Sequence, residues 1–168
     1  MSQLPQEFKH TYSLMSHWRQ SFVEGLGCTI VDENMYFPEK IAIGSCCLSE
    51  INPDVSVVVI DCVMNKPLRL TRVPSDDDFW IVYYDLSDSD SKHIVDEVNH
   101  KIGYKTKLNF AIVDNKINST YLSALGERFY ALRLFIRKSY LKTFFNDAEF
   151  KKDFKDVFDN KKKKMFFY

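Results

Sequence analysis

Glycine is scarce. Five glycines in 168 residues leave no Gly-rich loop whose backbone N–H groups could cradle a phosphate, which excludes nucleotide sites built that way. Charge of one sign is missing as well, since 23 basic residues balance 23 acidic ones. A module that grips nucleic acid alone carries a basic surplus to neutralise phosphates, so specific duplex binding by this chain alone is not expected. No apolar run approaches the roughly 18 residues of a membrane-spanning helix. The start, Met-Ser-Gln-Leu-Pro-Gln-Glu, has no basic segment followed by an apolar one. No secretory signal and no membrane partner are expected, and a cytoplasmic location is.

Catalytic and metal motifs are also lacking. The cysteines are Cys28, Cys46, Cys47 and Cys62, with no C-x-x-C spacing. Adjacent Cys46 and Cys47 on a strand would point to opposite faces, so they chelate poorly and read as small buried hydrophobes in a reducing compartment. The acidic group Asp76, Asp77, Asp78, Asp85, Asp88 and Asp90 lacks the Asp-x-Asp-x-Asp-Gly loop with a distal Glu that holds calcium. No Gly-x-Ser-x-Gly is present. No cofactor, no metal and no enzymatic activity are expected. A dispersed catalytic site would leave no such trace, because sites assemble in space.

What is present suits a β-rich core. Aromatics make up 15% of the chain, with 14 Phe and 9 Tyr, and such side chains pack well on a pleated surface. The length fits one domain. A polar arm over 1–12 leads to a short helix that Ser13 or Ser16 would cap, with Met15, Trp18, Phe22 and Val23 on one stripe and Gly25 and Gly27 as the stop. Strands are expected over 28–31, 35–37, 41–48, 55–63, 68–73, 79–86, 92–98, 101–104, 105–113, 117–122 and 128–137. The stretch 55–63 is too β-branched to favour a helix. The aromatic run 79–86 is apolar on both faces and reads as a central strand. Asn99-His100 fits a hairpin turn. No crossover helix lies between residues 28 and 136, which argues for antiparallel pairing in a barrel or two-sheet jelly roll.

After residue 137 the period changes. Leu141, Phe144 and Phe145 form one helical stripe, and Phe150, Phe154, Val157 and Phe158 another, the second opened by Asn146 and Glu149 as a capping box. The lysines at 151, 152, 155 and 161–164 read as a solvated tail, with no terminal structure expected to seal the end.

This order of parts, with the text Pro-Ser-Asp-Asp-Asp-Phe-Trp-Ile-Val-Tyr-Tyr-Asp-Leu from residue 74 and the strand-to-helix passage over 126–145, resembles the N-terminal regulatory domain of AraC-type transcription regulators. The resemblance covers about residues 13–168 and rests on pattern and on those two segments. It implies a mainly β, antiparallel, cupin-like jelly roll or barrel. The divisions expected are 1–27 for the arm and helix, 28–137 for the sensor barrel, and 138–168 for helices and the start of a linker to a DNA-binding part outside this chain. It implies binding of a small-molecule effector, homodimerisation, and DNA contact only through that further part, in a bacterial regulator. Metal-dependent cupin enzymes hold their ion with a His-x-His pair and a later histidine. The histidines here, His10, His17, His93 and His100, contain no such pair. His93 and His100 read as solvated residues near a turn. A cupin-type enzyme of isomerase kind and a structural jelly-roll interaction domain are the two rival readings.

For an effector pocket the candidates are Trp80, Tyr83 and Tyr84 on the aromatic strand, and Arg69 and Arg72 on its sequence neighbour. For a dimer interface they are Leu141, Phe144, Phe150, Phe154 and Phe158.

Overall fold

A computed structural model describes residues 6–87, 91–95, 97–102, 110–123, 125–144 and 165–167. Two sheets account for most of them. The smaller has five strands in the order β1 (Gln6–His10), β6 (Leu68–Arg72), β11 (Ser119–Leu122), β8 (Ser91–Val95) and β9 (Val98–Ile102). The larger has eight, in the order β13 (Met165–Phe167), β10 (Phe110–Asp114), β7 (Phe79–Asp85), β12 (Arg128–Arg137), β5 (Val55–Met64), β4 (Ala42–Asn52), β3 (Asn34–Tyr36) and β2 (Thr29–Val31). Their apolar faces meet in one core, giving a mainly β fold of jelly-roll type with few helices.

Alternation of side chains decides which faces meet. Along β5, Ser56, Val58, Cys62 and Met64 are buried, each two or four residues from the next, as strand period two requires. Along β12 the same period buries Phe129, Ala131, Arg133 and Phe135. The β7 strand lies between β10 and β12, and its even position Trp80 is buried along with Phe79, Ile81 and Tyr83. Trp80 is covered from the other side by Lys138, whose ammonium sits 4.9 Å from its ring. Lys138 is held there by Asp78 at 2.7 Å and Asp114 at 2.9 Å. It opens helix α2 (Lys138–Phe144).

The N-terminal helical part is a 3-10 turn, Ser16–Trp18, running into α1 (Arg19–Leu26). Trp18, Phe22 and Leu26 are buried. Neither Ser13 nor Ser16 caps it through a side-chain hydrogen bond; Met15 and Trp18 hold the two N-cap positions. Gly27 ends the helix with φ 75°, a left-handed conformation that glycine adopts without strain. Gly25 lies inside the helix, where α1 lies so close to β1 that an added Cβ would strike the Phe8 ring.

Several expectations need correction. The arm is not free: β1 pairs in parallel with β6, from Gln6 opposite Leu68 to His10 opposite Arg72. The antiparallel pairing expected over 28–136 is found for the strands within that range, whereas β1 lies before it and reaches β6 through a long excursion that includes α1 and β2 to β5. The hairpin of β8 and β9 turns before Val98, not at Asn99-His100, so that His93 faces His100 in the ladder. The chain end adds an edge strand, with Met165–Phe167 antiparallel to Ala111–Val113. The stretch 103–109 and the expected helix over 146–158 lie outside the described residues.

Candidate functional site

A cavity of about 40 Å³ lies between the two sheets. Strand period brings its walls together. From the smaller sheet, β6 contributes Leu70 and Arg72, β11 contributes Ser119 and Tyr121, β8 contributes His93, and β1 contributes His10. Tyr12, just past β1, joins them. From the larger sheet come Ile60 of β5, Tyr83 of β7, and Phe129 and Arg133 of β12. Register explains the adjacency within each sheet: Arg72 stands between His10 and Ser119, Tyr121 stands opposite His93, and Arg133 stands opposite Tyr83.

The site holds two buried cations on opposing sheets. Arg72 is 2% exposed and Arg133 5%. Arg72 donates from Nε to Ser119 Oγ at 3.2 Å, and from Nη1 to the Asn115 carbonyl at 2.9 Å and to Asn115 Oδ1 at 3.2 Å. Its Nη2 is buried and has no acceptor among the described residues. Arg133 donates from Nη1 to the carbonyls of Tyr84 and Leu132, both at 3.2 Å. Its guanidinium carbon lies 4.2 Å from the centre of the Tyr83 ring, a cation–π contact. Among the described residues, neither guanidinium has a carboxylate at salt-bridge distance. Arginine does not shed its proton in proteins, so both stay charged.

The titratable neighbours adapt to this. Burial drives His10 down to about 3, the hydrogen bond to the Thr11 carbonyl opposing and Arg72 assisting. Burial drives His93 well below its ordinary value, and Arg133, Arg72 and His100 add repulsion. Burial pushes the Tyr12 phenol up, with Arg133 and Arg72 pulling the other way. At neutral pH the cavity therefore presents two fixed cations, two neutral imidazoles and a protonated phenol. Among the described residues no group of three or more His, Cys, Asp or Glu is placed to hold a metal ion.

A second cavity, about 30 Å³ and almost wholly apolar, adjoins the first. Tyr12, Ile60, Leu70, Tyr121 and Phe129 line both. It continues to Trp18 and Phe22 of the helical cap and to Met35, Met64 and Leu68. Cys46 and Cys62 also line it, and burial pushes both thiols up to about 12.

Of the five candidates read from the sequence, Arg72 and Tyr83 line the polar cavity and the other three do not. Arg69 is on the outward side of β6, 3.7 Å from Glu7. Trp80 is on the face of β7 covered by Lys138. Tyr84 is 42% exposed and packs edge-on against Phe110. Period two separates Arg69 from Arg72 and puts Tyr84 opposite in direction to Tyr83. Of the proposed interface residues, Leu141 is half-buried on α2 and Phe144 ends that helix; Phe150, Phe154 and Phe158 lie outside the described residues. Sequence reading missed His10, Tyr12, His93, Ser119 and Arg133. His93 is buried, contrary to the expectation of a solvated turn residue, because it stands in mid-strand with Val95 on the same face. A signal for Arg133 was present. It interrupts a strand that is apolar on both faces, and such a position puts a charge indoors whichever face is buried.

Replacing Arg133 by methionine is expected to stabilise the ligand-free protein by about 1–3 kcal/mol, because an unpaired buried charge costs more than its two carbonyl bonds return. Urea unfolding of Arg133→Met checks this, and a loss of stability would show that the guanidinium is better compensated than its contacts indicate.

No family model matches the chain. No curated protein matches it either. Among solved structures, a cupin protein from Bacteroides fragilis is similar in general layout, with a TM-score of 0.45, 8% identity, and coverage of 61% of this chain and 85% of that one. The two-sheet architecture described above rests on this chain's own strand pairing.

Proposed function

We propose that this chain is the effector-binding module of an AraC-type transcription regulator, which holds a small molecule between its two sheets and leaves DNA reading to another part of the regulator. The observation that carries this reading is the cavity lined by Arg72 and Arg133, two buried cations from opposing sheets with no carboxylate partner among the described residues. Ligand sites are concave and mostly apolar, with a few placed polar groups, and this cavity has that make-up. The balanced charge of the chain fits a module that does not itself grip duplex DNA. Regulators that read paired half-sites gain from two-fold symmetry, so the reading includes a homodimer. Sedimentation that finds only monomer at high concentration would remove that part of it.

The test of the binding role is a ligand-observed NMR screen with a small-molecule library of mixed charge, run on the wild type and on Ser119→Leu. The leucine fills the cavity from β11. At least one compound should bind the wild type and fail to bind the variant. A screen with no hits, or with hits indifferent to Ser119→Leu, would overturn the reading.

A further inference from the structure

We infer that the ligand is a small organic monocarboxylate with a short apolar tail, its carboxylate set between the guanidinium groups of Arg72 and Arg133 and its tail in the adjoining apolar cavity. This rests on the effector-binding reading and names the chemical class of the effector.

Three observations carry it. The first is charge. Two guanidinium groups lie inside the molecule, they cannot be neutralised by losing a proton, and no carboxylate of the described chain pairs with them. Leaving such groups unpaired is costly, and an anion from outside removes that cost. The second is donor geometry. Arg72 Nη2 has no acceptor among the described residues, although Nε and Nη1 of the same group are fully used. A planar guanidinium with a free N–H edge matches a carboxylate oxygen, and two such groups can bind both oxygens of one carboxylate. The third is shape. The polar cavity of about 40 Å³ shares Tyr12, Ile60, Leu70, Tyr121 and Phe129 with an apolar cavity of about 30 Å³. One water-sized group needs about 10–15 Å³, so the two together hold roughly five or six such groups. That is the size of a carboxylate with about four carbons. A bare inorganic anion would leave the apolar half empty, and an alcohol would leave the arginines unpaired.

Binding is measured by isothermal titration with four probes: butyrate, acetate, butan-1-ol and inorganic phosphate. Butyrate should bind at least tenfold more tightly than each of the others. Arg133→Met should weaken butyrate at least tenfold and leave butan-1-ol within twofold. Arg72→Met should do the same, and it serves if Arg133→Met fails to fold. Equal affinity for butan-1-ol would show an apolar pocket indifferent to charge, and equal affinity for phosphate or acetate would show that no tail is read. Either result overturns the monocarboxylate while the effector-binding reading stands on its own screen. Absence of butyrate binding beside a positive screen also overturns it alone. An empty screen removes both.

Discussion

Gly44→Ala is expected to cost about 2–6 kcal/mol, the sum of left-handed backbone strain and forced overpacking. Gly44 sits near the start of β4 with φ 123°, opposite Cys62 of β5. A Cβ there would run into the Asp61 carbonyl oxygen and come within 2.7 Å of the Cys62 Cα. Both obstacles are backbone, and neither can swing aside as a side-chain tip would. Domains of this size are stable by only about 5–15 kcal/mol, so the variant should melt far earlier than the wild type. Gly126→Ala is the control. Its φ of 76° carries similar strain, yet a Cβ there meets nothing within 4 Å. That change should cost only about 1–2 kcal/mol. Urea unfolding compares the two, and equal losses would show that strain alone matters and that the close approach of β4 to β5 is tolerant.

The second large effect is acid lability. An unfolded histidine takes up a proton near pH 6.5. Folded His10 does not do so until about 3, and folded His93 is lowered well below the ordinary value, burial being the main cause for both. Below pH 6.5 the unfolded chain therefore binds protons that the folded chain refuses, and stability falls as pH falls. The slope is about 1.4 kcal/mol per pH unit for each histidine. Between pH 6.5 and 4.5 His10 alone should remove about 2 kcal/mol, and His93 adds a loss of the same sign. The upper half of this window, above about pH 5.5, lies above the ordinary range of the carboxylates, so the loss there is not that of ion pairs being protonated. Urea midpoints at pH 6.5, 5.5 and 4.5 measure it. His10→Phe and His93→Gln should each flatten the slope. A slope that persists in both variants would mean that other groups cause it, and no slope in the wild type would mean that the imidazoles gain their protons inside the fold.

The long β-branched and aromatic strands were legible because period and composition agree there. The bounds of β12 match the expected 128–137, and β5 differs by one residue at its end. The arm was not legible. Gln6–His10 has no alternation of its own to declare it a strand, and its pairing with β6 depends on a partner some sixty positions away. The site suffered from a related difficulty. Arg69 and Arg72 look alike in the sequence, and only the register of β6 sends Arg72 inward with Leu68 and Leu70 and leaves Arg69 beside Glu7. The cavity takes its walls from seven strands and one linker. Neighbours across two sheets leave no spacing in the sequence, and so Arg72 could be named while the facing Arg133 was not.

The parallel pairing of β1 has a practical consequence for anyone who handles the protein. The strand is the outermost of its sheet, laddered on one side only, and such strands fray first. It is also the piece that brings His10 and Tyr12 to the cavity. Trimming the first dozen residues as though they were a leader would unroof the pocket and bare the edge of β6, turning a binding defect and a tendency to aggregate into one lesion. Amide exchange along Gln6–His10 is thus a gauge of how often the interior is open to solvent, and a ligand that quiets that exchange will have announced where it sits.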